Sequence, residues 1–128
     1  MALHDVQIAF NNPFVFSLRC SVFLLVTIWP YNLSPGPTFR ANSRAMILGE
    51  TDGLVKVIAK KNRDGSAGQV LGVHMVGPWV TEQLAAGYLA VNWEASVDEI
   101  AEFIMPHPSL SELFGETVLS LTGRSFNA

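Results

Sequence analysis

Apolar and polar residues alternate with a period of two along GLVKVIAKK (53–61). Val55, Val57 and Ala59 fall on one side, and Lys56, Ile58 and Lys60 on the other, as in a strand buried on one face. The turn-rich RDGSAG (63–68) follows, and QVLGVHMVG (69–77) reads as the antiparallel return strand of a β-hairpin that stops at Gly77-Pro78. From Thr81 the period lengthens to that of a helix: TEQLAAGYLAVNW places Leu84, Tyr88 and Val91 along one face. Ser96 opens a second helix, SVDEIAEFI, with Ser96-x-x-Glu99 as a capping box, and Met105-Pro106 ends it. Ser109 opens a third helix through a second capping box, Ser109-x-x-Glu112. Its apolar positions are Leu110, Leu113, Phe114, Val118 and Leu121, and Gly123 is a suitable stop. The order strand–strand–helix–helix–helix predicts an α+β fold, a small antiparallel β-sheet packed against C-terminal helices.

Residues 1–38 do not follow this grammar and read as an atypical N-terminal segment before a domain spanning 39–128. FVFSLRCSVFLLVTIWP (14–30) is strongly apolar, but Arg19 interrupts it and the uncharged run from Cys20 to Trp29 is 10 residues. That is well short of the roughly 20 residues a membrane-spanning helix needs. The first charge is Asp5 and no small-residue cleavage site follows the run, so a signal peptide is also disfavoured. The β-branched and aromatic content favours a buried strand there. PYNLSPGPT (30–38) reads as a linker or loop.

Composition narrows the classes. The chain of 128 residues is 49% hydrophobic and 15% charged, which permits a core and leaves apolar surface for a partner. Its net charge is −3 and its basic residues run together only in KKNR (60–63), so nucleic-acid binding is set aside. Cys20 is the only cysteine; an internal disulfide, a CxxC redox pair and a zinc knuckle are all excluded, and no metal site is expected.

The candidate chemistry lies in PHPSLSE (106–112). Prolines on both sides of His107 restrict the backbone and hold the ring in a defined place, and His107–Pro108 is a candidate cis bond. From spacing alone, an incidental histidine in a surface turn stands ahead of a catalytic one. Glu112 is explained by its capping box. A glutamate that reaches back to the helix start also points toward residue 107, where its second oxygen would suit the imidazole of an acid/base histidine. His74, on the return strand, reads as core or surface rather than ligand, and His4 carries no signal. GETDG (49–53) precedes a strand and is a turn. Neither GxGxxG nor GxxxxGK[ST] occurs, so nothing in the chain cradles a nucleotide pyrophosphate.

Three blocks, in this order and spacing, carry a resemblance: ANSRA (41–45), DGLVKV…GQVLGVHMVGP (52–78) and HPSLSE (107–112). From Phe39 to the C-terminus the chain closely resembles the C-terminal interface, or dimerisation, domain of dihydrolipoamide dehydrogenase, in the pyridine nucleotide–disulfide oxidoreductase family. The resemblance reverses the order of the two readings of His107. It implies a homodimer in which His107 takes a proton from a bound dihydrolipoyl dithiol at the flavin and redox disulfide of the other subunit. Glu112 would hold and charge-stabilise the ring. The backbone of His107 and Pro108 would face that subunit's FAD, and electrons would pass on to NAD. The family often writes a histidine two places before the catalytic one, where this chain has Met105. Bacterial cytoplasm or a mitochondrial matrix would suit such an enzyme.

The family's FAD- and NAD-binding domains and its CxxxxC disulfide have no counterpart in the sequence, so the chain alone is expected to be inactive and to bind neither cofactor. LHDVQIA (3–9) resembles the strand that the family places shortly before ANSRA, which makes residues 11–38 an insertion and suggests a fragment of a longer protein. The rival expectation is a small non-catalytic interaction module derived from the same domain. Substitution of His107 separates the two.

Overall fold

The structure is a computed structural model that describes residues 5–10, 31–33 and 38–124. His4, Cys20, the apolar run 14–29 and most of the expected insertion lie outside the described residues.

Four antiparallel strands form one sheet: β1 (Asp5–Phe10), β2 (Tyr31–Leu33), β3 (Leu54–Lys61) and β4 (Ala67–Gly77), in the order β1-β4-β3-β2. The expected hairpin is its centre. Val55 pairs with Met75 and Val57 with Val73, and all four side chains are buried. Lys56 and Ile58, on the opposite face, are only half-buried. The strand expected at 3–9 is β1, the edge beside β4, with Ile8 opposite His74.

PYNLSPGPT is not wholly a loop. Its Tyr31–Leu33 forms β2, which pairs with Ile58–Lys60 at the other edge of the sheet. No proline lies within Tyr31–Leu33, so every residue of β2 keeps its N–H.

Among the described residues there are four α-helices: α1 (Ser43–Leu48), α2 (Val80–Asn92), α3 (Val97–Ala101) and α4 (Glu112–Leu121). A 3-10 turn (Phe39–Ala41) precedes α1. The core lies between the inner sheet face and Val80, Val91, Val97, Ile100, Leu113, Phe114 and Val118. Phe39, fully buried, wedges against Gly53 and Gly77. These two have φ of 151° and 147°, values that L side chains rarely adopt, and a Cβ on Gly77 would stand 2.8 Å from Phe39 Cζ.

Three helical expectations are corrected. Tyr88 is not on the buried face of α2; it is 57% exposed. The helix approaches β4 through Gly87, where a Cβ would lie 2.9 Å from Val73 Cγ1, so residue 88 is turned away from the sheet. The capping box of α3 is present: Glu99 N–H donates to Ser96 Oγ (3.2 Å), and Ser96 N–H to Glu99 Oε2 (2.8 Å). The helix nevertheless stops at Ala101: the chain tightens there, with Phe103 N–H donating to Ile100 C=O at 3.0 Å, and leaves the helix before it reaches Pro106. The last helix begins at Glu112 rather than near Ser109. Its far end is as expected: Gly123 has φ 75°, and Arg124 N–H donates to Leu119 C=O at 3.2 Å.

Candidate functional site

The turn between α3 and α4 brings His107 and Glu112 together. His107 Nδ1 lies 2.7 Å from Glu112 Oε1, and Ser109 N–H donates to Glu112 Oε2 at 2.8 Å. One carboxylate therefore holds a backbone amide with one oxygen and the imidazole with the other. A carboxylate accepts, so the Nδ1 it meets is the donor; in the neutral ring that leaves Nε2 as the acceptor. The His107 side chain is 67% exposed, whereas Glu112 is only 20% exposed. The partner is fixed in the fold and the ring is offered outward. The His107–Pro108 bond is cis.

Only half of the expected Ser109–Glu112 capping box is present. Glu112 reaches back to Ser109 N–H, but Ser109 Oγ pairs with Ser111 Oγ at 2.9 Å, and α4 starts three residues later, at Glu112, with Ser111 before it.

Two further residues hold the turn, and sequence reasoning did not assign them this work. Asn42, at the start of α1, donates from Nδ2 to Ser109 C=O at 2.9 Å while its Oδ1 accepts from Ala45 N–H at 3.0 Å. An asparagine before a helix signals an N-cap, but nothing local announces a bond to a residue 67 positions away. Met105, the departure from the family pattern, is half-buried and packs against Gly115 of α4, where a Cβ would meet its Cγ at 2.7 Å. Gly115→Ala is expected to push Met105 out and destabilise the chain by about 1–3 kcal/mol. Urea unfolding of the single variant and of the double variant with Met105→Ala checks this, since the second change should recover much of the loss.

His74 lies apart from this turn, half-buried on β4 and opposite Lys56 of β3. Burial, and then the Lys56 charge, hold its pKa below the usual 6.5. The unfolded chain therefore takes up a proton at higher pH than the folded one. His74 contributes a loss of stability as the pH falls through the window just below 6.5. Urea midpoints measured from about pH 7 to 5 should fall less steeply in His74→Gln. An unchanged slope would remove His74 as the source.

Among the described residues no three His, Cys, Asp or Glu side chains are grouped to hold a metal ion. No helix among them is long and apolar enough to cross a membrane.

Comparison with known proteins places the chain in a family. The profile of the family described as pyridine nucleotide-disulphide oxidoreductase, dimerisation domain, matches residues 37–118. Dihydrolipoyl dehydrogenase of Rhizobium etli is 44% identical over 91 residues, 71% of this chain and 18% of that protein. The Bacillus subtilis enzyme of the same name is 39% identical over 89 residues, covering 70% and 18%. The human protein named dihydrolipoyl dehydrogenase, mitochondrial, is 41% identical over 90 residues, covering 70% and 17%. The chain thus spans about a fifth of the length of these relatives. The crystal structure of LpdA from Mycobacterium tuberculosis superposes with a TM-score of 0.70 at 22% identity, over 91% of this chain and 22% of that one, and shares its fold.

Proposed function

Since the chain belongs to the pyridine nucleotide-disulphide oxidoreductase dimerisation-domain family, we propose that residues 39–128 serve a dihydrolipoyl dehydrogenase-like assembly as its dimerisation domain and lend it His107 and Glu112 as an acid/base pair. In this reading residues 1–38 are an atypical N-terminal segment, of which β1 and β2 join the domain's sheet. The observation that supports it is the 2.7 Å contact between an outward-facing imidazole and a carboxylate anchored on the backbone.

The chemistry follows from that contact. With Nδ1–H held by Glu112, Nε2 accepts the proton of a bound dithiol, and the resulting thiolate attacks a disulfide of the partner subunit. One S–S bond forms through a mixed disulfide while the old one breaks; the second substrate thiol then closes the new disulfide. The dithiol is oxidised and the partner's disulfide is reduced to two thiols. Glu112 keeps the ring oriented through both proton movements, and its attachment to Ser109 N–H limits its own motion.

FAD and NAD would supply the electron acceptance for turnover. The proposal assigns both to other domains of the assembly. Pro108, exposed beside His107, would face the partner's FAD. The bacterial and mitochondrial relatives suggest bacterial cytoplasm or a mitochondrial matrix as the setting.

The test is a chimaera in which residues 37–124 replace the matching region of the Bacillus subtilis relative. A flavin-loaded dimer that oxidises dihydrolipoamide with NAD, and loses that turnover with His107→Gln, supports the proposal. An active dimer indifferent to His107 would leave only a binding module.

A further inference from the structure

We infer that Asn42 is a positioning residue for His107, acting through the backbone of Ser109; the catalytic meaning of this rests on the function proposed above. Asn42 is buried, with 6% exposure, and both ends of its amide are engaged. Oδ1 accepts from Ala45 N–H at 3.0 Å, and Nδ2 donates to Ser109 C=O at 2.9 Å. Its main chain is held as well: its N–H donates to Phe39 C=O at 3.1 Å, and its C=O accepts from Met46 N–H at 3.1 Å. Asn42 is therefore a fixed post, tied to the buried Phe39 and to the first turn of α1.

Ser109 is the residue on which Glu112 is anchored. Its N–H donates to Glu112 Oε2 at 2.8 Å, and Glu112 Oε1 meets His107 Nδ1 at 2.7 Å. Asn42 holds the carbonyl of the same residue, so the two hydrogen bonds fix Ser109 from both sides. His107 is exposed and borrows its orientation from Glu112. An error in Ser109 would pass through the carboxylate to the ring. Only an amide side chain offers an acceptor for the α1 cap and a donor for Ser109 at once. Serine keeps a cap acceptor but is too short to keep the second bond, and an ionised aspartate keeps the cap with no hydrogen to donate.

The test uses the full 128-residue chain with 15N-labelled histidine. Two-bond 1H–15N spectra of the neutral His107 ring distinguish the Nδ1–H from the Nε2–H tautomer. The wild-type ring should be predominantly Nδ1–H. In Asn42→Ser the Nδ1–H to Nε2–H ratio should fall by about tenfold, as loss of one supporting hydrogen bond implies, while Ala45 N–H keeps its protection from exchange. Asn42→Asp at alkaline pH should move the ring the same way, and it provides the reading if the serine variant does not fold.

A folded variant with a wild-type ring spectrum overturns the inference. So does the absence, in the wild-type chain, of a trans-hydrogen-bond coupling between Asn42 Nδ2 and the Ser109 carbonyl carbon, a measurement that needs no variant. These readouts do not depend on turnover. Failure of the acid/base proposal would appear in the chimaera with the ring spectra unaffected, and failure of the positioning inference would appear in the spectra alone.

Discussion

In the chimaera, His107→Gln is expected to lower NAD-linked dihydrolipoamide oxidation by about 10²–10⁴-fold, the usual contribution of a positioned acid/base group. Dimerisation and flavin content should be unchanged. Glutamine is of similar size and keeps polar atoms near Glu112, so the turn can retain its shape; what it lacks is a ring nitrogen that can take and return a proton. The His107 side chain is 67% exposed, and an exposed substitution away from core packing changes stability little. Loss of activity with stability preserved is therefore the signature, read from steady-state rates beside a urea melt. Glu112→Gln should cause a smaller loss, because its amide oxygen can still accept one of the two hydrogen bonds that the carboxylate now accepts. A His107→Gln chimaera within a factor of two of its parent would be incompatible with a proton transfer at this ring.

The largest effect on stability is expected from Phe39→Ala, which should cost about 3–5 kcal/mol. Phe39 is fully buried and lies across the two glycines that flank the hairpin, Gly53 before β3 and Gly77 at the end of β4. Both glycines have positive φ and present bare backbone to its ring. A domain of this size has only about 5–15 kcal/mol of total stability, so the variant should lose a large share of it. Phe39→Leu should recover part. The difference in urea midpoint at constant slope measures both; a loss below about 1 kcal/mol for alanine would show that the wedge is not tightly packed. Phe39 also supports Asn42, which is bonded to its carbonyl, so the alanine variant should disturb the His107 ring spectrum as well.

The hairpin was legible because strand burial is local and periodic. Val55, Val57 and Ala59 face the core as their alternation requires. Ser96 and Glu99 were legible because a capping box closes within four residues. Tyr88 was misplaced because several helical faces of α2 carry apolar residues. The face that packs is chosen by Gly87, whose missing side chain lets the helix approach Val73, and a pattern of apolar residues gives that glycine no weight. The strand at Tyr31–Leu33 was hidden by its neighbouring prolines, since edge pairing depends on where β3 lies and not on local propensity.

At the site, the types of residue and their separation were present in the sequence. PHPSLSE contains an imidazole and a carboxylate five positions apart, with prolines that restrict the turn. Their apposition at 2.7 Å was a local possibility, and the fold realised it. The frame that holds them was not legible, because it is made of long-range contacts between segments that sequence presents separately. Asn42 reaches Ser109 from the start of α1, and Met105 settles on Gly115 of α4. Sequence alone thus determined the central hairpin, the Ser96–Glu99 capping box and the placing of an imidazole and a carboxylate five positions apart, each a matter of near neighbours in the chain. Tertiary structure alone decided which helix faces packed, where the last helix began and what steadies the histidine, because each of these depends on which distant backbone groups arrive beside it.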